Sequence, residues 1–172
     1  MTLALPVQAL RTDSPLGPML LACAPQGLCG AWFEGQQHGP TADEQSNWTF
    51  TTANPILNAA QEQLQTYFKG QLQRFALPLQ WPQATSFQLA VWQALQQIPF
   101  GQTTSYGQLA AQLQKPQAVR ALGAAVGRNP LSIIVPCHRV LGKDGSLTGY
   151  AGGLSRKQAL LALEGHDLFS AS

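Results

Sequence analysis

Charge is what this sequence has least of. Lysine, arginine, aspartate and glutamate make up only 10% of its 172 residues, against about 25% in an average globular chain. Glutamine carries much of the polar surface instead, which makes the chain soluble without making it strongly charged. Cysteine is scarce and odd in number: Cys23, Cys29 and Cys137 have no framework spacing, so the reading expects reduced thiols in a cytosol rather than a disulfide scaffold. Long apolar runs are missing too, with none near the roughly 18 residues of a membrane span. The N-terminal "MTLALPVQALRTDSP" lacks a positive n-region and is broken by Pro6, which argues against a signal peptide and for a cytoplasmic protein. No internal repeat is present.

What is there is a chain 45% hydrophobic, able to bury a sizeable core in one large domain or two small ones. The net charge of +2 is unevenly placed. Residues 1–68 hold Arg11 against five acidic residues, a balance of −4, whereas residues 69–172 hold nine basic and three acidic ones, a balance of +6. That asymmetry suggests an anionic partner for the second half, and on charge alone ordinary surface scatter is an equal reading.

The first half reads as strands. "LALPVQAL" and "GPMLLACA" flank the turn-rich "RTDSPL", and "GLCGAWFE" follows a "PQG" turn, which predicts a small antiparallel sheet. "QHGPTADEQSN" reads as a polar loop. "NPILNAAQEQLQTYFKG" predicts a helix: Asn54 caps it, Pro55 opens it, Ile56, Leu57, Ala60, Leu64, Tyr67 and Phe68 form its apolar stripe, and Gly70 stops it. The proline-broken "LQRFALPLQWPQAT" then sets a domain boundary near residue 84. The second half is mostly helical: "SFQLAVWQALQQI", then "TSYGQLAAQL" and "AVRALGAAVG" across a tight turn in the manner of a helix-turn-helix. An apolar run "LSIIV" is expected to be the strand leading to Cys137. The last helix is "SRKQALLALEG", with Ser155 as cap, Gln158 completing a capping box and Gly165 beyond its end. The fold class is therefore α/β of the α+β kind, with an N-terminal α/β domain over 1–84 and a mostly helical C-terminal domain over 85–172.

Within "SIIVPCHRV" a cysteine is followed by a histidine. A free thiol has a pKa near ~8.5 and needs a base to act as a nucleophile. Neighbours on an extended chain point to opposite faces, so Cys137 and His138 meet only through a turn or a bridging water. By itself the triple Pro-Cys-His is read more often as packing than as chemistry.

The longer stretch "IIVPCHRVLGKDGSLTGYAGGL" closely resembles the active-site segment of the O6-alkylguanine-DNA alkyltransferases, also called methylated-DNA–protein-cysteine methyltransferases. The resemblance continues upstream through "GQTTSYGQLA" and "AVRALGAAVGRNP" and downstream through "LLALEG", covering about residues 85–166; in the N-terminal half it rests on "DSPLG" and the helix before Gly70. It implies an RNase H-like N-terminal domain and a single-turnover repair protein without a cofactor. Such a protein binds duplex DNA through the minor groove as a monomer, with cooperative binding along DNA as an open possibility. It flips out an O6-alkylguanine, or an O4-alkylthymine, and moves the alkyl group onto its own cysteine.

Carried over residue by residue, Cys137 is the acceptor, His138 its base through a water, and Glu164 the orienting acid. Tyr106 donates to guanine N3, Asn129 holds the turn before the acceptor, the backbones of Val140 and Ala151 meet the guanine edge, and Tyr150 walls the pocket. Relatives often have serine where Ala151 stands. Arg120 fills the gap left in the duplex, on a helix whose Ala121, Gly123 and Ala124 permit close approach, with Arg128 at its end. Apart from the resemblance, Tyr106 reads as a half-buried packing residue and Arg120, Arg128, Arg139, Lys143, Arg156 and Lys157 as surface charges.

Three other functions fit the sequence less well. A lesion-marking relative lacks the acceptor cysteine, which is present here. A helix-turn-helix regulator presents side chains for the major groove, and "AVRALGAAVG" offers almost none. A Cys-His hydrolase or redox enzyme turns over many times. Cys29 sits where some relatives place a zinc ligand, with His38 the only other nearby candidate, but four ligands are not at hand. Cys23 and Cys29 read as buried filler, and no metal is expected.

Overall fold

The computed structural model describes residues 2–166. The chain forms two compact units, one of Met1–Ala84 with Pro130–Ile134, the other of Thr85–Asn129 with Val135–Ser172.

In the first unit β1 (Gln8–Thr12), β2 (Met19–Ala24) and β3 (Gly27–Phe33) form an antiparallel meander. After α1 (Ala42–Ser46), the short β4 (Thr49–Phe50) adds in parallel to β1, giving the order β3-β2-β1-β4. Every residue of β2 and β3 is buried, because both faces of the sheet are covered. On one face Val7, Ala9, Leu20, Ala22, Cys29 and Trp32 cluster under Leu3 and Trp48. The other carries α2 (Pro55–Phe68), which buries Leu57, Ala60, Leu64 and Tyr67. Asn54 Oδ1 accepts from the backbone N–H groups of Ile56 and Leu57, as the sequence predicts for a cap. Gly30 is required by packing: a Cβ there would stand 1.8 Å from the Trp32 ring.

Two expectations change here. The polar loop contains α1, closed by a capping box in which Thr41 accepts from the Glu44 N–H and the Glu44 carboxylate accepts from the Thr41 N–H. The run "LSIIV" is not a regular strand. Leu131 makes an isolated parallel bridge to Ala31, after which Ile133 takes φ +71°. The N–H groups of Ile134 and Cys137 then bond the carbonyls of Ser132 and Val135, two residues back, instead of a neighbouring strand.

The second unit contains α3 (Ser86–Gln96), β5 (Thr104–Ser105), α4 (Tyr106–Gln112), α5 (Val119–Gly127), a 3-10 turn at Cys137–Arg139, β6 (Val140–Leu141) and α6 (Leu154–Leu163). Capping boxes open α3 (Thr85 with Gln88) and α4 (Ser105 with Gln108). Helix α5 packs on both α3 and α4, and the Trp92 indole N–H donates to the Ala125 carbonyl at 2.9 Å. The parallel pairing of Thr104 with Val140 and Ser105 with Leu141 holds the Cys137 turn beside the start of α4. Helix α6 begins two residues earlier than predicted. Gly153, at φ +93°, is its cap, and Ser155 lies inside the first turn without capping anything. Among the described residues no helix is long and apolar enough to cross a membrane.

Candidate active site

Cys137 is the first residue of the 3-10 turn and is 5% exposed. The preceding Asn129, also buried, directs its amide N–H₂ to the Val135 carbonyl at 2.9 Å and to Cys137 Sγ at 3.1 Å. One carboxamide therefore shapes the turn and offers a donor to the sulfur. Burial pushes the Cys137 pKa up; the Asn129 hydrogen bond and the charge of Lys157 pull it partly back. The resting group is a thiol, and it needs a base.

The turn answers the geometric objection raised by adjacent residues. His138 is fully buried and points to Glu164, with Nε2 2.8 Å from Oε1. A carboxylate only accepts, so Nε2 carries the proton and Nδ1 is left as the acceptor. Nδ1 has no hydrogen-bond partner among the described residues. Burial lowers the His138 pKa, against the pull of Glu164, so the imidazole is neutral at pH 7 and free to take a proton. Glu164 caps the C-terminal end of α6. Arg139 grips it bidentately, Nε to Oε2 at 2.8 Å and Nη2 to Oε1 at 2.9 Å, and donates its remaining nitrogen to the Ile98 carbonyl.

Tyr106 opens α4 half-buried, its hydroxyl donating towards the carbonyls of Thr148 at 3.1 Å and Gly149 at 3.4 Å. Burial, and the neighbouring Cys137 after it, push its pKa up, so it stays a donor. The Val140 N–H is spent on the Cys137 carbonyl and the Val140 carbonyl accepts from Lys157, leaving one carbonyl lone pair for any ligand. Tyr150 and Ala151 are half-buried in the loop before α6. On α5, Arg120, Ala121 and Ala124 are exposed, as is Arg128 at its C-cap. Gly123 backs onto Tyr106: a Cβ there would meet the ring at 3.9 Å, an ordinary contact.

Two residues read as surface charges are not. Arg139 is 6% exposed, and Lys157 is wholly buried with Nζ bonded to the carbonyls of Val140, Thr148 and Gly149. The signal was present for Lys157: with Leu160, Leu161 and Glu164 it falls at i, i+3, i+4 and i+7, the inward stripe of α6. Cys23 and Cys29 are buried, burial taking the Cys29 pKa to about 12. Among the described residues no group of three His, Cys, Asp or Glu side chains could hold a metal.

Residues 86–166 match the model of the 6-O-methylguanine DNA methyltransferase DNA-binding domain, and residues 10–81 match the ribonuclease-like domain of the same proteins. The chain belongs to the 6-O-methylguanine DNA methyltransferase family. It is 48% identical over 153 residues to a methylated-DNA–protein-cysteine methyltransferase of Mycolicibacterium paratuberculosis, covering 88% of each chain. Against the Haemophilus influenzae protein of that name it is 42% identical over 152 residues, 88% of this chain and 82% of the other. The crystal structure of Mycobacterium tuberculosis OGT in complex with DNA superposes with a TM-score of 0.83 at 43% identity, covering 91% of this chain and 92% of that one. The ribonuclease-like description agrees with the fold expected for the N-terminal half of a methyltransferase of this family.

Proposed function

We infer that this chain repairs DNA by direct reversal, taking the alkyl group from O6 of guanine in duplex DNA onto Cys137 in a single-turnover reaction. The observation that carries this reading is the buried chain of contacts Asn129–Cys137 and His138–Glu164–Arg139, an acceptor thiol beside a neutral base whose orienting acid is itself clamped. The thiol proton passes through a bridging water to His138 Nδ1, and Glu164 stabilises the imidazolium that forms. Sγ attacks the alkyl carbon, the carbon–O6 bond breaks, and its electron pair leaves with the guanine. Tyr106 donates to N3 and so lowers the charge on that leaving group. Because the product is a thioether, the protein is consumed, one molecule per lesion.

Reaching a buried thiol requires the base to leave the stack, at a cost of a few kcal/mol. Arg120 offsets part of that cost by filling the gap, while Ala121, Gly123 and Ala124 let α5 approach the minor groove and Arg128 meets the backbone. The Val140 carbonyl and the Ala151 N–H read the base edge, and Tyr150 bounds the pocket. The protein acts as a cytoplasmic monomer and accepts O4-alkylthymine as a second substrate.

The test is intact-protein mass after mixing with a duplex carrying one O6-methylguanine, with peptide mapping. A single methyl increment on Cys137, absent with undamaged duplex and absent in Cys137→Ala, is expected. No increment, or repeated turnover, would overturn the reading.

A further inference from the structure

Helix α5 has little of its own to hold it in place. Its N-cap, Ala118, makes no side-chain bond to the first turn, and its buried residues are Leu122, Ala125 and Val126. Gly123 and Gly127 weaken its backbone further. The far end is closed without a left-handed glycine. Arg128 follows the helix at φ −96°, and the N–H groups of Arg128 and Asn129 bond the carbonyls of Ala125 and Val126 at 3.2 and 3.1 Å.

Trp92 of α3 meets that end. It is buried, and its indole N–H donates at 2.9 Å to the Ala125 carbonyl, the same oxygen that accepts from Arg128. Burial alone does not demand such a bond in this chain: Trp32 is as fully covered, yet its indole N–H has no partner among the described residues. The bond also falls between two parts of the chain that do different things. Arg120, Ala121 and Ala124 come before it on the exposed side of α5. Asn129 comes four residues after it and sends its amide to the Val135 carbonyl and to Cys137 Sγ. A shift of the last turn by about 1 Å carries Asn129 with it, and misplacement on that scale is enough to slow an aligned reaction.

We propose that Trp92 is a positioning residue for alkyl transfer: by pinning the Ala125 carbonyl it fixes the last turn of α5 and so aims the Asn129 amide at Cys137 Sγ. The assignment rests on the transfer reaction proposed above. Burial raises the Cys137 pKa and the Asn129 bond draws it partly back, so an amide aimed elsewhere leaves a thiol that ionises at higher pH. The other titratable and charged groups around the turn are His138 and Arg139 beside the cysteine, Tyr106 of α4, and Lys157 and Glu164 of α6. All of them are kept in the variants that test the proposal.

The experiment is single-turnover transfer from an O6-methylguanine duplex at saturating concentration, from pH 5.5 to 9, with duplex affinity measured in parallel. It compares the wild type, Trp92→Phe, Asn129→Ser and the double variant. Trp92→Phe keeps an aromatic ring and deletes the donor. Its rate at pH 7 is expected to be roughly 10-fold lower, the scale of one hydrogen bond to an ionised group. The rising limb of its pH profile should move up by about one unit, with duplex affinity unchanged. Asn129→Ser should show the same displaced limb, and the double variant should be no slower than Asn129→Ser. A Trp92→Phe protein as fast as wild type overturns the proposal. So does a slow one whose profile is not displaced, or losses that multiply in the double variant. Asn129→Ser without the displaced limb overturns it even if Trp92→Phe does not fold. No transfer by the wild type at any pH would instead sink the functional reading, and this assignment with it.

Discussion

The two units bury comparable apolar cores but opposite kinds of polar group. Among the described residues, the buried polar side chains of the first are Thr12 and Ser132, both uncharged, and those of the second are Asn129, His138, Arg139, Lys157 and Glu164. The first unit keeps its charges outside, where Arg11 meets Glu34 at 3.2 Å with both half-exposed. An apolar interior is stabilised by burial, and a local loss there costs stability without stranding a charge. An interior that holds ionised groups is stable only while every partner is in place. The second unit retains such groups beside Cys137, where proton movement and developing charge have to be handled away from water.

The sharpest way to break this comparison is Glu164→Ala. It strands His138 and Arg139 together, so the expected cost is about 3–5 kcal/mol, or a melting temperature lower by roughly 10 °C, with transfer lost as well. Calorimetry and the mass assay read the two effects. Leu57→Ala in the first unit provides the contrast. It removes a fully buried side chain of α2 and is expected to cost about 2–5 kcal/mol, yet the transfer rate per folded molecule should not change. Equal loss of rate in both variants would erase the distinction between the units.

Acid provides a smaller effect. The folded pKa of His138 is held below the ordinary value by burial, so below roughly pH 6.5 the unfolded chain binds a proton that the folded one refuses. Stability should then fall with pH by up to about 1.4 kcal/mol per unit. Urea midpoints at pH 7 and pH 5 should show that part of the slope disappearing in His138→Gln. Smallest of all is Arg11→Ala, which removes an exposed ion pair and a contact with the Phe50 ring. A change below about 1 kcal/mol is expected from chemical denaturation. A larger one would mean that the surface of the first unit bears load its interior does not.

Much of this molecule was readable in advance wherever the signal was local. Asn54 and Pro55 mark the start of α2 because a cap and a fixed φ act within one turn. Gly165 takes φ +80° just past α6, as its place after the last apolar residue suggested. Local rules gave way where they met a competing contact. Ser155 looked like a cap, but Gly153 at positive φ begins the helix two residues earlier. "LSIIV" looked like a strand, but Asn129 bonds Val135 and Cys137, and the chain between them closes into tight turns.

The candidate site divides along the same line. Residue order and type alone left Pro-Cys-His as packing and Arg120 as a surface charge on a helix of small side chains; the roles expected of Cys137, His138, Glu164 and Arg120 came from the family resemblance of the longer stretch. That Arg139 faces inward was settled only by folding, and for Lys157 the inward stripe of α6 was the local sign. Their surroundings come from α6, from Ile98 and from the loop at Thr148 and Gly149, distant in the chain. Whether a charged side chain meets water or a ring of carbonyls depends on those distant partners, and a linear pattern records a residue's own chemistry but not the groups that will surround it.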